Sequence, residues 1–282
     1  MPTPPTIGVF DSGFGGLTVL RALLHRLPQA QFAFLGDTAR LPYGSKSRRT
    51  IARYAAQSAQ FLVREQGAEF LVIACNTASA LALDAIQEAV PVPVLGVIEP
   101  GAAAARAASR TGDVLVVATG ATVESHAYAA ACRAQGLRAL EMACPLLVPL
   151  VEEGWTDHPV TAEVIRIYLE QLNAEAAAQG LNPDTLVLGC THYPLLRPLI
   201  ERAVPAGMRV IDSALATAKT AALLFDPQQA GNLPPAAQIP DTQLPDARLR
   251  FFATDSVEKF ERLGSRFLER PVGKVELVDL GG

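Results

Sequence analysis

Basic clusters, long apolar runs and paired cysteines are all scarce in this chain of 282 residues. Its formal net charge is −4. The densest basic segment, KSRRTIAR at 46–53, reads as the solvated start of a helix, so nucleic acid is not an expected partner. No apolar stretch reaches the roughly 20 residues that a membrane span needs. The opening MPTPPTIGVFDSG lacks both the charged and the apolar region of a secretory signal and reads as a short Pro-rich tail. A membrane is therefore not an expected partner either. The four cysteines include no CxxC pair, which argues against a disulfide framework or a zinc site and fits a reducing, cytoplasmic setting. No metal is expected.

What is present is a strong alternation. Half of the residues are hydrophobic and 18% are charged, the balance of a globular chain with enough length for two domains. TIGVF runs into the glycine-rich DSGFGG and then LTVLRALLHRL; FAFLG runs into DTARLPYG and a helix from about Ser47 with Ile51, Tyr54, Ser58, Phe61 and Leu62 on one face. EFLVIA leads to Cys75 and the helical TASALALDAIQEA, and VPVLGVI follows. This is the rhythm of a parallel sheet covered by helices. It restarts at DVLVVAT (113–119), continues through a strand near 138–142 and helices in 146–180, and reaches TLVLG before Cys190. The similar spacing in both halves suggests an old duplication. Then come RVIDS, another helix, a Pro/Gln-rich surface excursion from Asp226 to Pro245, and a closing strand, helix and strand with Asp255 and Glu258 as a capping pair. The expected fold is α/β: two domains, each a mostly parallel sheet flanked by helices. The first domain takes 1–98 plus 208–282 and the second takes 99–207. A single (β/α)₈ barrel is the alternative that the strand count allows.

Two stretches concentrate the chemistry. FLVIACNTAS and TLVLGCTHYP each end a buried strand in a small residue, a cysteine and small polar side chains. A lone cysteine after a strand is usually a small buried hydrophobe. Here the pattern occurs twice, with Asn76-Thr77 and Thr191-His192 following, and those side chains can hydrogen-bond a ligand. A helix start at each cysteine would favour the thiolate and lower its pKa. Cys132 and Cys144 lack such neighbours and read as core. Asp11 and Ser12 stand where the first strand ends, ahead of three glycines. Ligands bind at the carboxyl ends of strands in such sheets, and exposed amides there can hold a carboxylate or phosphate. The turn matches neither GxGxxG nor the P-loop, so a nucleotide is poorly supported. His192 can set the protonation of Cys190, and Asp11 can do the same for Cys75. Glu152 is either a solvated helix-end carboxylate or a site acid. Thr119 and Thr122 are the second-half counterparts of Asp11 and Ser12.

DSGFGGLTV, LPYGSKS, ACNTASA, TGATVES, CPLLVPLVEEG and GCTHYPLL, in that order, resemble the cofactor-independent glutamate racemases over about residues 7–225. ACNTA is shared with wider aspartate/glutamate and hydantoin racemase relatives, whereas DSGxGG with PYG and GCTHYP is more specific. One departure is Ala121, where many relatives carry glycine. The resemblance implies two pseudo-symmetric domains with the active site in the cleft between them, and Cys75 and Cys190 as the two acid/base residues, Cys75 acting on D-glutamate and Cys190 on L-glutamate. It implies Asp11, His192 and Glu152 as further catalytic groups. Asp11, Ser12, Pro42, Tyr43, Gly44, Asn76, Thr77, Thr119, Thr122, Thr191 and His192 would hold or orient the glutamate substrate.

The implied reaction is racemisation of glutamate without a cofactor, supplying D-glutamate for peptidoglycan. A pyridoxal enzyme would need a Schiff-base lysine, and Lys46 and Lys219, the nearest candidates, do not lie in such a strand-end loop. The alternatives are a related carbanion enzyme acting on aspartate, a hydantoin or a malonate, a hydrolase with a His192-activated cysteine, and a non-catalytic binding protein. An exposed apolar helix could pair two subunits into a homodimer.

Overall fold

The computed structural model describes residues 4–225 and 248–281. The Pro/Gln-rich stretch expected to be a surface excursion lies outside these residues. Ten strands occur among the described residues: β1 (Thr6–Asp11), β2 (Gln31–Gly36), β3 (Phe70–Ile73), β4 (Val94–Gly96), β5 (Asp113–Ala118), β6 (Arg138–Ala143), β7 (Thr185–Gly189), β8 (Arg209–Asp212), β9 (Leu249–Ala253) and β10 (Val275–Leu277). They form two sheets, ordered β10-β9-β2-β1-β3-β4 and β6-β5-β7-β8, in which every pairing is parallel. A single barrel is thereby excluded. Continuous apolar runs such as VLVVA in β5 follow from this layout. A parallel strand covered by helices on both faces has no solvent side to fill with polar residues, and β1, β5 and β7 are buried throughout.

The order β2-β1-β3-β4 in the first sheet repeats as β6-β5-β7-β8 in the second. Cys75 follows β3 and Cys190 follows β7, so the two thiols leave topologically equivalent strands, in keeping with duplication. This also corrects the expected division at 207/208. Strand β8 hydrogen-bonds to β7, Thr185 lying opposite Arg209, so residues 209–212 belong to the second sheet as the counterpart of β4. Strands β9 and β10 are additions that extend the first sheet beyond β2.

Two local expectations also change. The segment expected as one helix over 77–89 is two, Asn76–Leu81 and Leu83–Ala89, meeting at Ala82 with φ −135°. Asp255 and Glu258 form no capping pair. Asp255 Oδ1 instead accepts from the adjacent Ser256 amide, and Ser256, at φ 52°, stands as the N-cap without a side-chain bond. The helix Arg48–Arg64 begins as expected, with Ser47 accepting from the Thr50 amide. No helix among the described residues is long and apolar enough to cross a membrane.

Candidate active site

The carboxyl ends of β1, β3, β5 and β7 converge where the halves meet. Cys75 caps the six-residue helix Asn76–Leu81, and its Sγ accepts from the Ala78 amide at 3.4 Å. The same thiol donates to Ser12 Oγ at 3.4 Å, which joins the ends of β3 and β1. Behind it Asp11 is fully buried, with Oδ2 accepting from the Gly13 amide at 2.9 Å and Oδ1 without a protein partner. Burial pushes the Asp11 carboxyl above its ordinary range, against the pull of His192 and the Gly13 amide. Burial, and then the adjacent Asp11, push the Cys75 thiol up to about 12. The expectation of a depressed thiol at a helix start therefore fails for Cys75. The single turn behind it offers little macrodipole, and desolvation penalises the anion more strongly.

Cys190 precedes a four-residue 3₁₀ turn, Tyr193–Leu196, rather than an α-helix. Tyr193 anchors that turn: its buried hydroxyl lies 3.1 Å from the Ala118 carbonyl and 2.9 Å from that of Cys144. Cys190 Sγ is 3.9 Å from His192 Nδ1, and His192 Nε2 is 3.3 Å from Glu152 Oε1. That second separation is an ion-pair distance without hydrogen-bond alignment, since Nε2 has no aligned partner. Glu152 Oε2 accepts from Lys259 Nζ at 3.0 Å. Burial opposes a charge on His192, but Cys190 and Glu152 outweigh it and raise its pKa to about 10, so it is an imidazolium at neutral pH. Burial likewise pushes Glu152 up, and His192 followed by Lys259 overcome that and hold its carboxyl below the ordinary range.

Three contacts tie the halves together beside the thiols. Thr77, from the first half, meets Thr119 and Thr122 of the second in a triangle of hydroxyls, with edges of 2.9, 3.2 and 2.9 Å. Tyr128 donates across the boundary to Asn76 Oδ1 at 2.7 Å. Gly15 lies so close to the second half that a Cβ there would sit 2.3 Å from Thr191 Oγ1 and 2.9 Å from His192 Nδ1, so any side chain at that position would have to displace these two groups.

The groups surround one cavity of about 180 Å³, small beside the roughly 300–1,000 Å³ of drug-sized sites and suited to an amino acid. Its wall includes both Cys75 and Cys190, together with Ser12, Pro42, Tyr43, Gly44, Asn76, Thr77, Thr119, Glu152, Thr191 and His192. Asp11 and Thr122 do not line it. Asp11 sits behind Cys75, and Thr122 behind Thr77 and Thr119. Tyr43 is held by its bond to Asp37 Oδ2 at 2.6 Å, and Asp37 also accepts from Thr254 at 2.9 Å.

The sequence reading missed the apolar part of the wall, Leu41, Pro145, Val148 and Pro149. These residues belong to the LPYG and PLLVPL runs, whose apolar side chains carry no polar chemistry to mark them. It also missed Lys259 and the rings of Phe14 and Phe267, which meet His192 edge-on at 6.4 and 5.3 Å between centroids. Nothing local in the sequence marks these three.

A matched pair of parallel sheets with a thiol from each on one small cavity has the form of an amino-acid racemase, and comparison with known proteins agrees. The Asp/Glu/Hydantoin racemase family matches residues 7–221. A glutamate racemase of Koribacter versatilis is 54% identical over 99% of this chain and 98% of its own length. The structure of a glutamate racemase isoform from Bacillus anthracis superposes with a TM-score of 0.85 at 34% identity, over 99% of this chain and 98% of that one. The Francisella tularensis glutamate racemase in complex with D-glutamate gives 0.84 at 35% identity, over 99% of both chains. This chain belongs to the Asp/Glu/Hydantoin racemase family, within its glutamate racemase branch, and is an isomerase.

Proposed function

We propose that the protein interconverts L- and D-glutamate by a two-cysteine acid/base mechanism. The observation that carries this reading is the presence of Cys75 and Cys190 in the wall of one cavity, each at the end of an equivalent strand in opposite halves. One sulfur, as thiolate, takes the α-proton and becomes a thiol, leaving the electron pair on the α-carbon. The other, as thiol, delivers its proton to the opposite face and becomes the thiolate. Following the family, Cys75 serves the D-face and Cys190 the L-face.

An α-proton of an amino acid is weakly acidic, so the base must be strong and the carbanion stabilised. Burial supplies the first, because a thiolate stripped of water is more basic. The Asn76 and Thr77 amides at the start of the helix Asn76–Leu81, which precede its first internal bonds, supply aimed donors for the second, as do the Ser12 and Thr191 hydroxyls. The His192 imidazolium faces a sulfur anion at Cys190 during turnover. Asp11 sets the charge behind Cys75. The product suits assembly of peptidoglycan precursors, and four free cysteines suit the reducing cytoplasm.

In D₂O, either enantiomer of glutamate should gain α-deuterium as it inverts, and Cys75→Ala and Cys190→Ala should each abolish racemisation. Full activity in either variant overturns the two-thiol reading. Circular dichroism with D- and L-aspartate beside D- and L-glutamate tests the substrate, and a preference for aspartate overturns it.

A further inference from the structure

The last long helix of the first half, Val257–Leu268, reaches across the cleft to the Cys190 side. Its Lys259 Nζ bonds Glu152 Oε2 at 3.0 Å and stands over the Phe14 ring, 5.5 Å from its centroid. Glu152 belongs to the helix Leu147–Glu152 of the second half, and its other oxygen faces His192. The side chains of Lys259 and Glu152 are 42% and 18% exposed, so the pair lies at the rim and the carboxylate points inward. Cys190, His192, Glu152 and Lys259 thus form one series of alternating partners that ends on the opposite half of the molecule. Among the described residues, the groups that meet Cys75 directly are the Ser12 hydroxyl, the Ala78 amide and the Asp11 carboxyl.

From this geometry we infer that Lys259 is a positioning residue for the Cys190 half of the reaction, fixing the Glu152 carboxylate against His192 when the halves meet. The inference rests on the two-thiol reading above. An unrestrained Glu152 at the rim turns toward water and leaves His192 without its anion, so proton transfer at Cys190 slows while transfer at Cys75 does not.

Because the equilibrium constant between enantiomers is one, kcat/KM must stay equal in the two directions in any variant. The asymmetry therefore has to be read from isotope effects. Primary deuterium isotope effects on kcat/KM would be measured with α-deuterated L- and D-glutamate for the wild type, Lys259→Met and Lys259→Arg. In Lys259→Met, which keeps an apolar stem over Phe14, kcat/KM should fall about two- to fivefold, as for loss of a partly exposed ion pair. The isotope effect with L-glutamate should rise and that with D-glutamate fall, because the Cys190 step has become the slower of the two. Lys259→Arg should restore both. Equal or unchanged isotope effects in Lys259→Met, a shift in the opposite sense, or failure of arginine to restore them overturns the assignment. Retained racemisation in Cys190→Ala would instead sink the two-thiol reading itself, so the two failures are distinguishable.

Discussion

Around Cys75 the fold supplies a hydroxyl and a buried carboxyl; around Cys190 it supplies an imidazolium, a carboxylate and an ammonium in series. The strands beneath the two thiols are equivalent, yet their electrostatics are opposed. At Cys75 burial and Asp11 both favour the neutral thiol. At Cys190 a cation is held 3.9 Å away. A reaction that inverts one carbon needs one proton acceptor and one donor at any instant, and two identical surroundings would bias both sulfurs the same way. On the proposed two-thiol reading, the repeated strand order would provide the two-sided geometry, and the side chains around each sulfur the difference.

The sharpest way to break this comparison is to remove one sulfur base at a time. Cys75→Ser and Cys190→Ser should each cost about 10²–10⁴-fold in kcat, the usual worth of a positioned acid/base group. Each should also retain one-sided exchange in D₂O: Cys190→Ser washing the α-proton only from D-glutamate, and Cys75→Ser only from L-glutamate. Exchange of both enantiomers by either variant, followed by proton NMR, would erase the assignment of faces.

Next in size is Gly15→Ala. The added methyl must push Thr191 and His192 away, and misplacement of about 1 Å in an active site can cost about 10²-fold in rate. Steady-state kinetics should show the loss mainly in kcat, with the far-ultraviolet spectrum unchanged.

His192→Gln should lower kcat about tenfold, the low end of what hydrogen bonds to charged groups are worth at about 1.5–3 kcal/mol. Its pH profile is more telling. With the pKa raised from 6.5 to about 10, the imidazolium persists through neutral pH and is lost as the pH climbs through about 10. The wild type should therefore show an alkaline fall in activity near pH 10 that the variant lacks. The same shift implies that the stability contributed by the imidazolium is complete below pH 6.5 and declines toward pH 10. Urea midpoints across that window should fall more steeply for the wild type than for His192→Gln.

The smallest effect is expected for Tyr128→Phe, which leaves Asn76 Oδ1 without its partner from the other half. A loss of about 1–2 kcal/mol in urea unfolding is expected for an unsatisfied buried acceptor, with KM raised because Asn76 lines the cavity.

Much of this architecture is written in local patterns. The apolar runs of β1, β3, β5 and β7 announce buried parallel strands, and the polar residues after them announce what those strands present. Sheet membership was not legible in the same way. RVID in β8 is a short, half-exposed strand, and no local feature says which of two sheets will accept its hydrogen bonds. Lys259 escaped for a related reason: 107 positions separate it from Glu152, and a lysine on an amphipathic helix looks like any solvated charge. Asp11 was read as part of the wall, whereas the turn to Gly13 folds its carboxyl behind Cys75. Spacing could place it at the site but not say which side of the thiol it would take.

The pairing of β9 with β2 has a consequence for how the protein is made. Asp37, at the end of β2, waits for Thr254, 217 positions later. At about 5–20 residues per second of synthesis, that leaves the β2 edge uncovered for roughly 10–40 s. The second sheet, drawn wholly from 113–212, can close in that interval. The nascent chain thus carries one finished half and one with an open strand edge, the kind of surface that invites pairing with another chain.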